Sequence, residues 1–363
     1  MRIKKIGIIL AVCMIAIVMV TGMAWAKKKA PSMDKWKPAF DSSTAKYRCI
    51  VSNVSHPVLM GTHAGFALRD ELWKRTNGQI YIDYKPLCML GGEVEVLNQL
   101  QMGAIQGMGV SSIASTNLGP RFGLVNLPFL LDSFEKLDKF ANSGQLFDHF
   151  MNAMGHQGIT GVDISSYGNY GWATTVPVKT LADMKKIKIR IGEASVNKLT
   201  YKAWGINPVV MPWPDVPVAL KQGVITGLDH TINVCCVSKK FEVAKYYTQI
   251  NYAQGLFIWI FNTRWLNKLP ADLEKIFIET VHDVCKEYRK LDIQQEKDMI
   301  ALAMEKYGVT FFKLPENDMN TLRKEANVVH DEFAPEINKL YKGDKYRPAN
   351  YLAEVQAFIG YKP

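Results

Sequence analysis

The chain has 363 residues, 48% of them hydrophobic and 21% charged, the balance of a folded globular protein, which excludes a disordered chain or a collagen-like repeat. At about 100–200 residues per domain, this length predicts two domains, each able to bury its own core. The net formal charge is +10, and with Arg2, Lys4 and Lys5 set aside as part of a leader the remainder is mild for a body of this size.

The N-terminus runs from MRIKK through the apolar Ile6–Val20 to Ala24-Trp25-Ala26, the basic, greasy, small-residue order of a secretory signal peptide. Residues 1–26 are expected to be a signal cleaved after Ala26, which places the mature chain outside the cytoplasm. The other reading is an uncleaved anchor, because Ile6–Met23 is just long enough to span a bilayer. A lipoprotein is disfavoured: Cys13 follows Val12 and sits inside the apolar run. No later stretch is long and apolar enough to cross a membrane. An oxidising compartment permits disulfides, yet Cys49, Cys88, Cys235, Cys236 and Cys285 are odd in number, show no zinc spacing, and include an adjacent pair whose ring would be strained. They are expected to be small buried apolar residues, with pairing left open.

Residues 27–45 hold prolines and lysines without periodicity and read as a linker. Tyr47–Val51 is expected to be a strand, Leu59–Thr76 a helix closed by Asn77-Gly78, Gln79–Tyr84 a strand, Glu93–Met102 a helix with Gly103 beyond it, and Ile105–Val110 a strand. A second series follows: strand Ile159–Ser165, a Gly/Tyr/Trp-rich segment, strand Ile187–Ile191, helix Ser195–Trp204, strand Pro208–Met211, helix Val216–Gln222 and strand Gly227–Ile232. After the apolar strand Leu256–Phe261, Pro270-Ala271-Asp272 opens a helical pattern that continues to about Lys306 without proline or glycine. At ~1.5 Å per residue this helix exceeds ~50 Å and is expected to bridge both lobes. Val309–Lys313 and Asp318–Tyr341 read as a strand and a closing helix.

The alternation predicts an α/β, two-lobed fold with hinge strands between the lobes. Lobe I is expected over 46–165, completed by about 255–295, and lobe II over 166–254, completed by about 305–335, with 336–363 as a C-terminal tail. Such a cleft suits closure on a small ligand.

Catalytic signatures are absent: there is no G-x-S-x-G, H-E-x-x-H or phosphate-binding glycine loop. The seven histidines are scattered, no metal is suggested by spacing, and no cofactor is expected. Lysines are dispersed and do not interleave with aromatics, which disfavours nucleic acid as a partner. In Ile187–Ile191, alternation puts Lys188 and Arg190 on one face. Arg190 falls at the strand end, where open α/β sheets present ligand-facing groups and where a guanidinium forms a fork for a carboxylate. The other reading is an edge-strand arginine in water.

The order K-I-K-I-R, Ala203-Trp204-Gly205, Asn207–Asp215, A-L-K-Q-G-V-I-T-G over Ala219–Gly227 and a following acid resembles the solute-binding proteins of TRAP transporters, the C4-dicarboxylate-binding (DctP) type. Thr76–Ile80, Leu90-Gly91-Gly92, Met102-Gly103-Ala104, Leu127-Pro128-Phe129 and Leu269–Leu273 follow in the family's order, so the resemblance covers about residues 46–335. It implies a periplasmic-binding-protein-like fold and a periplasmic receptor, not an enzyme, that encloses an organic acid and delivers it to the membrane permease subunits of an ion-driven transporter. The resemblance gives Arg190 the role of main carboxylate partner and places Tyr170, Trp213, Glu193, Asp229 and His230 at pocket positions. Tyr170 stands where a second arginine is common, so a second carboxylate contact is in doubt. Trp172, Ser111 and Asn53 complete the candidate contacts.

One cation among Tyr170, Trp172, Trp213 and His230 suits a monoanion with a flat or apolar body. Glu193 either accepts a hydrogen bond from the ligand or serves only the dipole of the helix after it. A small C4-dicarboxylate or sulfonate is the alternative ligand, and an exported enzyme or a sensor the alternative function.

Overall fold

The structure is a computed structural model that describes residues 36–341 and 343–362. The expected signal peptide and residues 27–35 of the expected linker lie outside the described residues. No helix among the described residues is long and apolar enough to cross a membrane.

The described residues form ten strands: β1 Tyr47–Asn53, β2 Ile80–Lys85, β3 Gly107–Ser111, β4 Ile159–Thr174, β5 Ile189–Ile191, β6 Val209–Val210, β7 Gly227–Thr231, β8 Tyr246–Gln249, β9 Gln254–Asn262 and β10 Thr310–Lys313. Their order is β2-β1-β3-β9-β4-β7-β5-β6, with β8 pairing both β4 and β10. The outer strands of each half run parallel, as strand–helix–strand units require: β1 with β2 and β3, and β5 with β6 and β7. Two antiparallel strands, β4 and β9, close the gap between them.

β4 is the crossing element. Ile159–Asn169 pairs with β9 in the first half, and Tyr170–Thr174 pairs with β7 in the second. The expected strand ended at Ser165, whereas the real one continues through the Gly/Tyr/Trp-rich segment. Every residue from Val162 to Thr174 is buried, so no alternation of polar and apolar residues marks it. Its ladder shifts register between Gly161 and Asp163 and again between Ser166 and Asn169. Gly168 sits in the second shift at φ +104°, where a Cβ would come within 3.0 Å of both Asn233 Nδ2 and Glu296 Oε2. Only glycine suits that backbone and that space.

The long helix runs from Ala271 to Tyr307 and ends at Gly308, φ 64°, a left-handed cap. At ~1.5 Å per residue its 37 residues reach ~55 Å. Phe277, Val281, Cys285 and Tyr288 pack into the core of the first half with the helix Met60–Arg75, while Ala303, Met299 and Ile300 pack into the second half against Cys235 and Cys236. Polar bonds fasten it to the crossing strand: Arg289 Nη1 donates to Asp163 Oδ1 and to the Ile164 carbonyl, each at 2.7 Å. Further along, Glu296 accepts from the Asn169 backbone N–H at 2.6 Å and from Asn169 Nδ2 at 2.8 Å.

The segment after the helix Glu316–Ile337 is ordered against the first half. Arg121 and Asp344 form a fully buried ion pair at 2.7 Å, and the helix Tyr351–Ile359 adds Tyr351, Leu352, Val355 and Ile359 to that core. All five cysteines in the described residues are free; Cys88 is exposed and the other four are buried.

Candidate functional site

A cavity of about 350 Å³ opens where the two halves meet. The first half contributes Val54, Ser55, Glu93, Ser111 and Ile113, the second contributes Arg190, Glu193, Trp213, Asp229 and His230, and the crossing strands contribute Tyr167, Tyr170 and Phe257. Strand ends and the first residues of helices form its walls, the usual ligand position in open α/β sheets.

Arg190 lies in the middle of short β5 and is only 6% exposed. Its Nε and Nη2 donate to the Met211 carbonyl at 2.9 and 2.7 Å, and its Cζ lies 5.6 Å from the centre of the Trp213 ring. Among the described residues no carboxylate reaches ion-pair distance of it. Burial pulls the guanidinium below its ordinary value, while Tyr170, Asp229 and Glu193 act the other way. An arginine stays charged under such a pull, so the cavity holds a fixed cation with one edge uncommitted.

The aromatic lining is made by neighbours in space. The His230 ring stacks on Tyr170 at 5.5 Å and meets Trp213 edge-on at 4.8 Å. His230 Nδ1 accepts from the Thr231 backbone N–H at 3.0 Å. Burial, Arg190 and Lys240 hold its pKa well below the ordinary value. The imidazole is therefore neutral and carries its proton on Nε2, a donor. The Tyr167 and Tyr170 hydroxyls are 3.2 Å apart.

Asp229 is 3% exposed, and burial pushes it up to about 7, against the pull of the Tyr252 and Tyr201 hydroxyls and the Arg190 charge. Tyr252 donates to its Oδ2 at 2.5 Å. On the opposite wall, Glu93 opens the helix Glu93–Met102 and accepts from both the backbone N–H and the hydroxyl of Ser111 at 2.7 Å. Burial raises Glu93, and those two bonds offset part of the rise.

Of the residues singled out in the sequence, Arg190, Tyr170, Glu193, Trp213, Asp229, His230 and Ser111 come together around this cavity. Trp172 and Asn53 do not line it. Trp172 is fully buried in the second core and donates through Nε1 to the Tyr201 hydroxyl at 2.7 Å. Asn53 is equally buried, bridging the Gly109 carbonyl and the Ser55 backbone N–H at 3.0 and 2.8 Å. Sequence reasoning missed Glu93, Tyr167 and Asn197. The first reads as an ordinary acid in a helix's first turn, and the other two sit in segments whose facing no pattern reveals. Among the described residues no group of three or more His, Cys, Asp or Glu side chains could hold a metal ion.

The family model DctP, described as bacterial extracellular solute-binding protein, family 7, matches residues 52–336. The chain belongs to this family. Among family 7 relatives, the C4-dicarboxylate-binding periplasmic protein DctP of Rhodobacter capsulatus is 28% identical over 297 residues, 79% of this chain and 87% of that protein. The 2,3-diketo-L-gulonate-binding periplasmic protein YiaO of Escherichia coli is 26% identical over 244 residues, 66% of this chain and 73% of that protein. In fold, this family 7 chain is similar to a TRAP periplasmic solute-binding protein of Haemophilus influenzae solved with bound L-gulonate. That match has a TM-score of 0.78 at 21% identity and covers 86% of this chain and all of that one. The two-lobed fold is thus shared across chains of low identity.

Proposed function

We propose that this protein is the extracytoplasmic receptor of a TRAP transporter, capturing an organic acid between its lobes through Arg190 and handing it to the membrane permease subunits for ion-driven uptake. The observation that carries the reading is a buried arginine at the inter-lobe cavity, oriented by a backbone carbonyl and paired with no carboxylate among the described residues. An uncompensated buried charge is costly, and a ligand carboxylate offers the planar, bidentate partner that a guanidinium fits. Enclosure between the lobes strengthens the pair by lowering the local dielectric.

The family supports the receptor role. Relatives in it are named for binding C4-dicarboxylates, diketogulonate and ectoine, and structural neighbours hold succinate, orotate, erythronate, galacturonate and gulonate. Export through the leader and residence in the periplasm belong to the same reading. The aromatic wall of Tyr170, His230 and Trp213 suits a ligand with a flat or apolar body.

Thermal unfolding against a panel of organic acids tests the proposal, because a ligand that binds only the folded state raises the midpoint. At least one carboxylate is expected to raise it in the wild type and to lose that effect in Arg190→Ala. A panel without any shift, or an unchanged shift in the variant, removes the reading.

A further inference from the structure

Resting on the receptor reading above for what the wall binds, we propose that Lys240, set back behind the cavity, is a positioning residue whose buried ammonium holds the Trp213 indole in the wall beside Arg190.

Lys239 and Lys240 are adjacent and have opposite fates. Lys239 is exposed and takes φ 57°, a left-handed conformation that residues with side chains adopt rarely. The turn points Lys240 inward, where it is 6% exposed. A lysine is seldom buried without a partner, and this one has few. Its Nζ donates to the Ser238 carbonyl at 3.4 Å, a long bond, and among the described residues no carboxylate comes within ion-pair distance of it. An aromatic face takes the place of one. Nζ stands over the Trp213 ring, 4.6 Å from its centre, inside the ~6 Å reach of a cation–π contact, which is strongest where water is excluded.

Trp213 needs a holder of this kind. It opens the single turn Trp213–Asp215, none of whose residues is buried, and lies between Pro212 and Pro214. The prolines fix their own backbone but leave the indole its side-chain rotamers. The ring is held from outside the turn: Lys240 over it, His230 edge-on at 4.8 Å, Arg190 at 5.6 Å, and the margins of the two apolar cores of the second half. Arg190 also grips the Met211 carbonyl, two residues earlier. One cation thus pins the backbone of this segment and a second pins its ring. Trp213 and Arg190 both line the cavity, whereas Lys240 does not, so Lys240 reaches a ligand through the indole.

Fluorine NMR on the purified protein with 5-fluorotryptophan in place of tryptophan tests this without any ligand, the Trp213 resonance being the one lost in Trp213→Phe. Lys240→Met keeps the length of the side chain and removes its charge. In that variant the Trp213 line is expected to split or broaden, and its shift between H2O and D2O to grow, as the ring gains rotamers and water. Lys240→Arg keeps a cation and is expected to restore the single protected line. Lys240→Gln carries the same expectation as Lys240→Met and replaces it should that variant fail to fold. A single Trp213 line, as protected as in the wild type, overturns the inference.

Calorimetry with succinate, orotate, D-gluconate and phenylacetate then separates positioning from a direct effect of charge. For an acid that binds, Lys240→Met is expected to weaken it about tenfold and to have no further effect in the Trp213→Leu background, as two residues acting through one contact require. An equal loss in both backgrounds overturns the inference, because Lys240 then acts on the acid by its own field. If none of the four acids binds, the fluorine spectra alone decide the positioning, and the receptor reading stands or falls by the wider panel and Arg190→Ala.

Discussion

Arg190 gives two of its N–H groups, Nε and Nη2, to a single carbonyl, that of Met211. The carbonyl comes from the turn after β6, so the orientation of the guanidinium depends on backbone already fixed by β5–β6 pairing. Lysine keeps the charge but has no planar fork with which to hold this carbonyl and a ligand at once. Arg190→Lys is expected to weaken carboxylate binding by about 1.5–3 kcal/mol, roughly 10–100-fold, the range of a charge-assisted pair. Calorimetric titration of any acid found to bind decides it, and an unchanged affinity would count against the fork.

The helix Met60–Arg75 approaches β4 at Gly61, where a Cβ would stand 2.4 Å from the Ser166 carbonyl oxygen. The obstacle is backbone, which cannot swing aside. Gly61→Ala is therefore expected to destabilise the protein by about 1–3 kcal/mol, the usual cost of overpacking, visible as a lower urea midpoint. A midpoint equal to that of the wild type would show that the helix can slide.

Asp344 accepts two bonds from Arg121, and both side chains are fully buried. Asp344→Ala strands a guanidinium in the core and is expected to cost about 3–5 kcal/mol, read by denaturant unfolding. Burial opposes ionisation of Asp344, but the Arg121 bonds outweigh it and leave the carboxyl below its ordinary value. Its contribution is thus present above the unfolded value near 3.8 and lost as pH falls through the lower folded value. Acid unfolding should free the C-terminal helix, detectable as protease cleavage near residue 344.

His282 bonds Asp163 through Nδ1 at 2.7 Å, and that bond raises its pKa above 6.5. The stabilisation is full below 6.5 and disappears as pH climbs through the raised folded value. With the His282 side chain 48% exposed, solvent screening limits the effect to under about 1 kcal/mol. The melting temperature of the wild type should fall more steeply above neutral pH than that of His282→Asn; parallel curves would rule the linkage out.

Where turn chemistry was explicit, the fold was legible. Gly92 and Gly103 bracket Glu93–Met102, and the run from Pro270 to Gly308 encodes the long helix. β4 and β8 were harder because burial on both faces erases the period-two signal. The C-terminal helix carried its marks in plain view, an Asn350 cap that accepts from the Ala353 N–H and a terminal Gly360, but it is too short for periodicity to speak. In the site, the strand pattern left Arg190 open between a ligand contact and an edge position in water, and only the family resemblance set it in the pocket, whose wall it lines. Tyr170 and Trp172 share a face of β4, yet only Tyr170 reaches the cavity, because Trp172 lies further along beneath the helix that carries Tyr201. Asn197 and Tyr252 were hidden because their roles depend on contacts 55 residues apart in sequence.

A single unbroken rod bolted to both halves has a mechanical consequence. Any change in the angle between the halves must either flex Ala271–Tyr307 or slide one of its ends, since the helix contains no proline at which to fold. Whatever turns one half against the other is thus felt along the whole span, which makes the helix a mechanical link between the two cores.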